Sequence, residues 1–125
     1  MTADPRSQLG RLGEDLAVAH LRTHGYTILQ RNYRKSFGEI DIIARDGAAL
    51  VFIEVKTRRG NCYGPPALAV TPRKQQQISR VAEDYLARHN LFDSLIRFDV
   101  VAILLSTNEK IQIEIITNAF DGHIR

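Results

Sequence analysis

The sequence predicts an α/β fold, a mixed β-sheet flanked by helices, in the order α-β-β-β-α-β-β. Three observations carry the prediction. Two segments show apolar residues at helical spacing, one near the N-terminus and one in the second half. Between them lie runs in which β-branched or apolar residues alternate with charged ones, joined by tight-turn residues. Two more apolar runs after the second helical segment supply the remaining strands.

Pro5 to about His24 reads as the first helix, with Leu9, Leu12, Leu16, Ala17 and Leu21 on one face, and Gly25 stops it. Tyr26 to Arg34 is the first strand, supported by Thr27, Ile28 and Leu29. A hairpin follows, pairing Gly38-Glu39-Ile40-Asp41-Ile42-Ile43 with Phe52-Ile53-Glu54-Val55-Lys56 through an Asp46-Gly47 turn. Arg58 to Val70 is a long connection broken by Gly60, Gly64, Pro65 and Pro66. Thr71-Pro72 opens the second helix as a cap followed by proline in the first turn. Its buried stripe is Ile78, Val81, Ala82, Tyr85 and Leu86, and it runs to about His89. Leu95 to Leu105 and Lys110 to Ile116 are the last strands, with Asn108-Glu109 in the turn between them.

At 125 residues the chain has room for one core but not two. No apolar run is long enough to span a bilayer, and Met1-Thr2-Ala3-Asp4-Pro5-Arg6 lacks the apolar region of a signal peptide. A cytoplasmic location with no membrane partner is therefore expected. The single cysteine, Cys62, has no internal disulfide partner and no obvious helper as a nucleophile. His20, His24, His89 and His123 do not cluster in sequence, and His20 reads as a partly buried packing residue. Asp99, beside Arg97, reads as structural, bonded to that arginine or to a loop.

The hairpin holds the chemistry. With Asp46-Gly47 as a two-residue loop, Arg45 faces Ala48, Glu39 faces Glu54, Asp41 faces Phe52 and Lys56 faces Phe37. Residues opposite each other, or two apart, share a face. Glu39, Asp41, Glu54 and Lys56 then lie on one face, and Ile40, Ile42, Val51, Ile53 and Val55 on the other. A one-residue slip would mix the two sets. Like charges directly opposite are destabilising unless something neutralises them. Hard divalent cations take oxygen ligands, and Mg²⁺ uses one or two carboxylates plus waters and substrate phosphate. Lys56 points into the same space and suits a phosphate charge or a metal-bound water. Two acids and a lysine at one point fit phosphodiester hydrolysis.

Net charge is +3 and the pI about 9.3. The distribution says more than the total. Arg31, Arg34 and Lys35 precede the acidic hairpin, Arg58 and Arg59 follow it, and Arg73, Lys74 and Arg80 open the next helix. Such clusters bind phosphates, the alternative reading being ordinary solvated charges. Three more residues are candidates for the site. Glu14 sits at the edge of the first helix's apolar face, either reaching the site or packing its stem with a wet head. Glu39 is either a ligand or a counter-charge to Lys56 or Arg58. Gln75 either orients a water or phosphate or belongs to a polar helix face with Gln76 and Gln77.

Asp41 followed by Glu54-Val55-Lys56 on the next strand resembles the PD-(D/E)xK nuclease superfamily. The wider pattern is closer to one branch. It comprises Gly10-x-x-Gly13-Glu14, Gly25-Tyr26, Arg31-Asn32-Tyr33-Arg34, Gly38-Glu39-Ile40-Asp41, Phe52-Ile53-Glu54-Val55-Lys56-Thr57-Arg58 and Arg97-Phe98-Asp99-Val100. From about Gly10 to about Leu104 the chain resembles the YraN-like family of small bacterial endonuclease-like proteins, related to archaeal Holliday-junction resolvases. The superfamily's proline before the first acid is absent, since Ile40 precedes Asp41. The resemblance implies a single-domain restriction-endonuclease-like core over about residues 8–117.

It also implies an Mg²⁺- or Mn²⁺-dependent hydrolase of DNA phosphodiesters, with branched or otherwise structured DNA as substrate. Asp41 and Glu54 would hold the metal, with Glu14 completing the cluster, and Lys56 would act beside them. Arg34, Lys35, Arg58, Arg59, Arg73 and Lys74 would contact DNA phosphates, and the loop from Cys62 to Val70 would order on substrate. Cutting both strands of a junction would ask for a homodimer, with Ile113 or Ile115 as patch candidates. The alternative is a DNA-binding or adaptor protein on the same fold that does not cut. A third class, a protein-interaction domain, predicts no salt-dependent DNA affinity.

Overall fold

The computed structural model describes residues 5–60, 70–106, 108, 110–122 and 124, without the side chains of 5–7. Cys62, His123, Glu109 and positions 61–69 of the long connection lie outside the described residues. The elements are α1 (Pro5–Thr23), β1 (Thr27–Lys35), β2 (Gly38–Asp46), β3 (Ala49–Arg59), α2 (Pro72–His89), β4 (Leu95–Leu105) and β5 (Ile111–Ile116). Their order is the one read from the sequence. One mixed sheet runs β1-β2-β3-β4-β5. Pairs β1/β2, β2/β3 and β4/β5 are antiparallel, while β3/β4 is parallel. A parallel pair needs a crossover rather than a turn, and α2 provides it.

Alternation along β3 divides the core between the two helices. Leu50 and Phe52 join the α2 stripe of Ile78, Val81, Ala82, Tyr85 and Leu86. Ala49, Val51 and Ile53 join Ala17, Val18 and Leu21 of α1. Thr71 caps α2 by accepting the Lys74 N–H at 3.2 Å, and Asn90 ends it in the left-handed region. On α1 the sheet-facing line runs through Gly13, Ala17 and Leu21, so Leu12 points outward and is 45 % exposed. Gly13 allows the close approach: a Cβ there would sit 1.8 Å from Thr57 Oγ1.

Three details of the hairpin differ from the sequence reading. The loop is Gly47-Ala48, closed by Asp46 opposite Ala49. Gly47 has φ 59 at the first loop position, where glycine is unstrained. Asp46 stays in the strand because Arg97 holds its Oδ2 at 2.8 Å. Each strand is displaced by one residue from the expected pairing, which preserves the faces but changes the partners. The paired run ends at Ile42 opposite Ile53. Continuing that register puts Asp41 opposite Glu54, rather than opposite Phe52 as expected. Third, Ile40 packs on the α2 side while Ile42, Val51 and Ile53 pack on the α1 side. Asn32, lying between the pairs Arg31–Ile42 and Tyr33–Ile40, has φ 53, and the alternation of the outer hairpin turns over at that point.

Asp99 is fully buried and, together with Arg97 and its pair to Asp46, ties four segments together. It accepts hydrogen bonds from Tyr26 Oη, from the Arg97 guanidinium and from the Asn118 N–H, all at 2.8–2.9 Å. Its role is structural, as its position beside Arg97 implied. Ile113 and Ile115, the candidate dimer patch, are half-buried against the α1-side core instead. No described helix is long and apolar enough to cross a membrane.

Candidate active site

Beyond Ile42 and Ile53 the sheet forks. β2 continues with β1 to Gly38 opposite Lys35. β3 continues with β4 to Arg59 opposite Leu105. The notch between these arms opens into a cleft of about 520 Å³. One arm contributes Asn32, Arg34, Glu39 and Asp41, and the other Val55, Lys56 and Thr57. Gly10, Arg11 and Glu14 of α1 form a further wall. At the apex the Val55 N–H, which has lost its β2 backbone partner, donates to Asp41 Oδ2 at 2.8 Å. Glu54 is 7 % exposed just behind the lining. Lys56 Nζ stands 3.8 Å from Glu54 Oε1.

Burial is the main force on both acids. It pushes Asp41 up to about 6, against the Val55 N–H that favours its ionised form, with Glu39 and Glu14 adding repulsion. Burial, and then repulsion from Asp41, pushes Glu54 up to about 7, while Lys74 and Lys56 oppose the rise. Two neighbouring carboxylates, both raised chiefly by burial, form an arrangement that a divalent cation relieves. Asp41 and Glu54 are the donors that fit such an ion, with waters and a phosphate completing its shell. Among the described residues, no group of three or more His, Cys, Asp or Glu side chains is gathered to hold an ion by itself.

Glu14 lines the same cleft as Asp41. Its Oε1 accepts from Arg31 Nε and Asn32 Nδ2, each at 2.9 Å, which anchors α1 to β1. Arg31 also binds Asp15 at 2.6 Å. Glu39 pairs with Arg34 at 2.8 Å. Gln75 donates to the Val70 carbonyl at 2.9 Å, which fixes the entry to α2.

The expected cations separate into two groups. Arg34 lines the cleft, and Lys74 acts electrostatically on both acids. Lys35 is drawn away: it pairs with Asp84 at 3.4 Å and lies over the Tyr33 ring. Arg58, Arg59 and Arg73 do not line the cleft. Two lining residues escaped the sequence reading, Arg11 and Asn32. The Gly10-x-x-Gly13-Glu14 spacing was the available signal, because residues three and four apart share a helix face.

The fold and cleft define a single α/β domain whose sheet forks around a buried acid pair. The chain belongs to the Uncharacterised protein family UPF0102, whose profile matches residues 13–103. This is the YraN-like family that its motifs resemble. A UPF0102 protein of Geobacter metallireducens is 54 % identical over 113 residues, covering 90 % of this chain and 92 % of the relative. One from Pelobacter propionicus is 52 % identical over 123 residues, covering 96 % and 88 %. One from Dictyoglomus turgidum is 46 % identical over 114 residues, covering 90 % and 97 %.

Proposed function

We propose that this protein is an endonuclease that hydrolyses DNA phosphodiester bonds with Mg²⁺ or Mn²⁺ held by Asp41 and Glu54. One observation carries the reading: a buried acid, Glu54, and a half-buried one, Asp41, meet at the apex of a cleft, with Lys56 against Glu54. Folding alone gains nothing from that arrangement, since buried like charges are costly. A bound divalent cation supplies a more acidic water and polarisation of the scissile phosphate. Lys56 offsets negative charge building on the phosphoryl oxygens and holds the attacking water. Lys74 opposes the rise and so favours the ionised, ligating form of both acids. Arg34 is 72 % exposed in its pair with Glu39, so it exchanges that partner for a DNA phosphate at little cost. The resolvase-like motifs support branched or structured DNA as substrate, cut by a homodimer.

The second reading, a DNA-binding protein that does not cut, draws on Glu14, whose carboxylate is committed to Arg31 and Asn32. A cleavage panel separates the two. Labelled four-way junction, flap, single-stranded and duplex DNA are incubated with Mg²⁺, Mn²⁺ or EDTA. Metal-dependent products from a branched form are expected. Salt-sensitive binding of all forms with no product in any metal overturns the enzyme reading.

A further inference from the structure

Gly10 sits within α1, where glycine is a poorer helix former than alanine and requires a reason. Backbone conformation is not the reason, because Gly10 is not among the glycines with positive φ. Packing is not the reason either, since a Cβ at Gly10 would meet nothing within 4 Å. Gly13, one turn further on, is the contrast, its missing Cβ being required by Thr57. A side chain at Gly10 would enter the cleft that Asp41, Lys56 and Arg34 share. Arg11, its neighbour on the same wall, is exposed and makes no ion pair among the described residues. By comparison, Arg31, Arg34, Lys35, Arg88 and Arg97 are each paired.

We infer that Gly10 and Arg11 form the wall along which the substrate strand runs. Gly10 leaves room for the sugar-phosphate backbone to pass α1, and Arg11 holds a phosphate flanking the one at the acid pair, with Arg34 across the cleft. The inference rests on the reading of the cleft as a DNA phosphodiesterase site. It assigns to α1 a substrate-positioning role that the metal-holding acids do not have. The missing side chain matters most here, because a cationic contact gains affinity only where the DNA backbone can reach it.

The test measures DNA affinity and folding separately. Anisotropy of labelled four-way junction and single-stranded DNA, with Ca²⁺ replacing Mg²⁺, is read beside the melting temperature for wild type, Gly10→Ala, Gly10→Leu and Arg11→Gln. Gly10→Ala is expected to melt a few degrees higher than wild type. Gly10→Leu is expected to keep its melting temperature but bind roughly tenfold more weakly, as an obstructed site does. Arg11→Gln is expected to lower the slope of log affinity against log salt by about one. Wild-type binding by Gly10→Leu overturns the inference and leaves the functional reading standing. A fall in its melting temperature, or a change from dimer to monomer on sedimentation, also overturns it, by assigning Gly10 to packing or to a second copy. Absence of DNA binding by the wild type itself overturns the functional reading, and the inference with it.

Discussion

Replacing Glu54 by glutamine keeps the shape of the side chain and removes one of two buried negative charges. An ordinary glutamate titrates near 4.5, and burial with the repulsion of Asp41 pushes this one up to about 7. That difference places a penalty on the order of 3 kcal/mol on the ionised form in the folded protein. Below the ordinary value the carboxyl is protonated whether folded or not, and no penalty exists. As pH rises through the folded value, the native state alone resists losing the proton, so stability is lost. Glu54→Gln escapes the penalty but gives up the Lys56 pair. The net gain at about pH 8 is roughly 2 kcal/mol, or roughly 8 °C in melting temperature for a chain of this size. At about pH 5 the gain nearly vanishes. His20, held below its ordinary 6.5 by burial and by His24, produces the opposite slope. It is common to both proteins and cancels in the difference. The assay is thermal melting of both proteins in EDTA across that range, repeated with millimolar Mg²⁺, which should raise wild type and not the variant. A pH-independent difference, or a variant less stable at high pH, would refute the reasoning.

Gly13→Ala forces a methyl into Thr57 and should destabilise by about 2 kcal/mol in urea unfolding, with Thr57→Ala restoring part of the loss in a double-mutant cycle. Additive effects would show that α1 does not rest on Thr57. Asp99→Ala leaves Arg97 and Tyr26 with a lost acceptor in the interior and should cost on the order of 3 kcal/mol by denaturation. A loss under ~1 kcal/mol would mean that the four segments are held otherwise. Lys74→Ala removes a charge that favours ionisation of both acids, so the acidic limb of the pH–rate profile for cleavage should move upward. An unmoved limb would put Lys74 outside the site.

Alternation made much of this legible. The stripe from Ile78 to Leu86 needed only helical spacing, and all five residues are buried. Asp99 beside Arg97 needed only two side chains on one strand. Asp41, Glu54 and Lys56 were assigned to one face by parity, which a displacement of one residue in each strand does not disturb. Parity says nothing of who stands opposite whom, so the Gly47-Ala48 loop and the end of pairing at Ile42 and Ile53 were not readable. The turnover at Asn32 was hidden because a left-handed asparagine leaves no mark in a hydropathy pattern. Ion pairs were least legible. Lys35 with Asp84 and Glu14 with Arg31 join residues 49 and 17 positions apart, and only packing of the helices brings them together.

The most direct test of the central claim is single-turnover cleavage of the preferred DNA by wild type, Glu54→Gln and Lys56→Ala, with folding and DNA affinity checked for each. The account predicts Mg²⁺-dependent cutting by wild type that falls at least about a hundredfold in both variants while DNA affinity persists. Equal rates in all three, or cutting by wild type that survives EDTA, would contradict it.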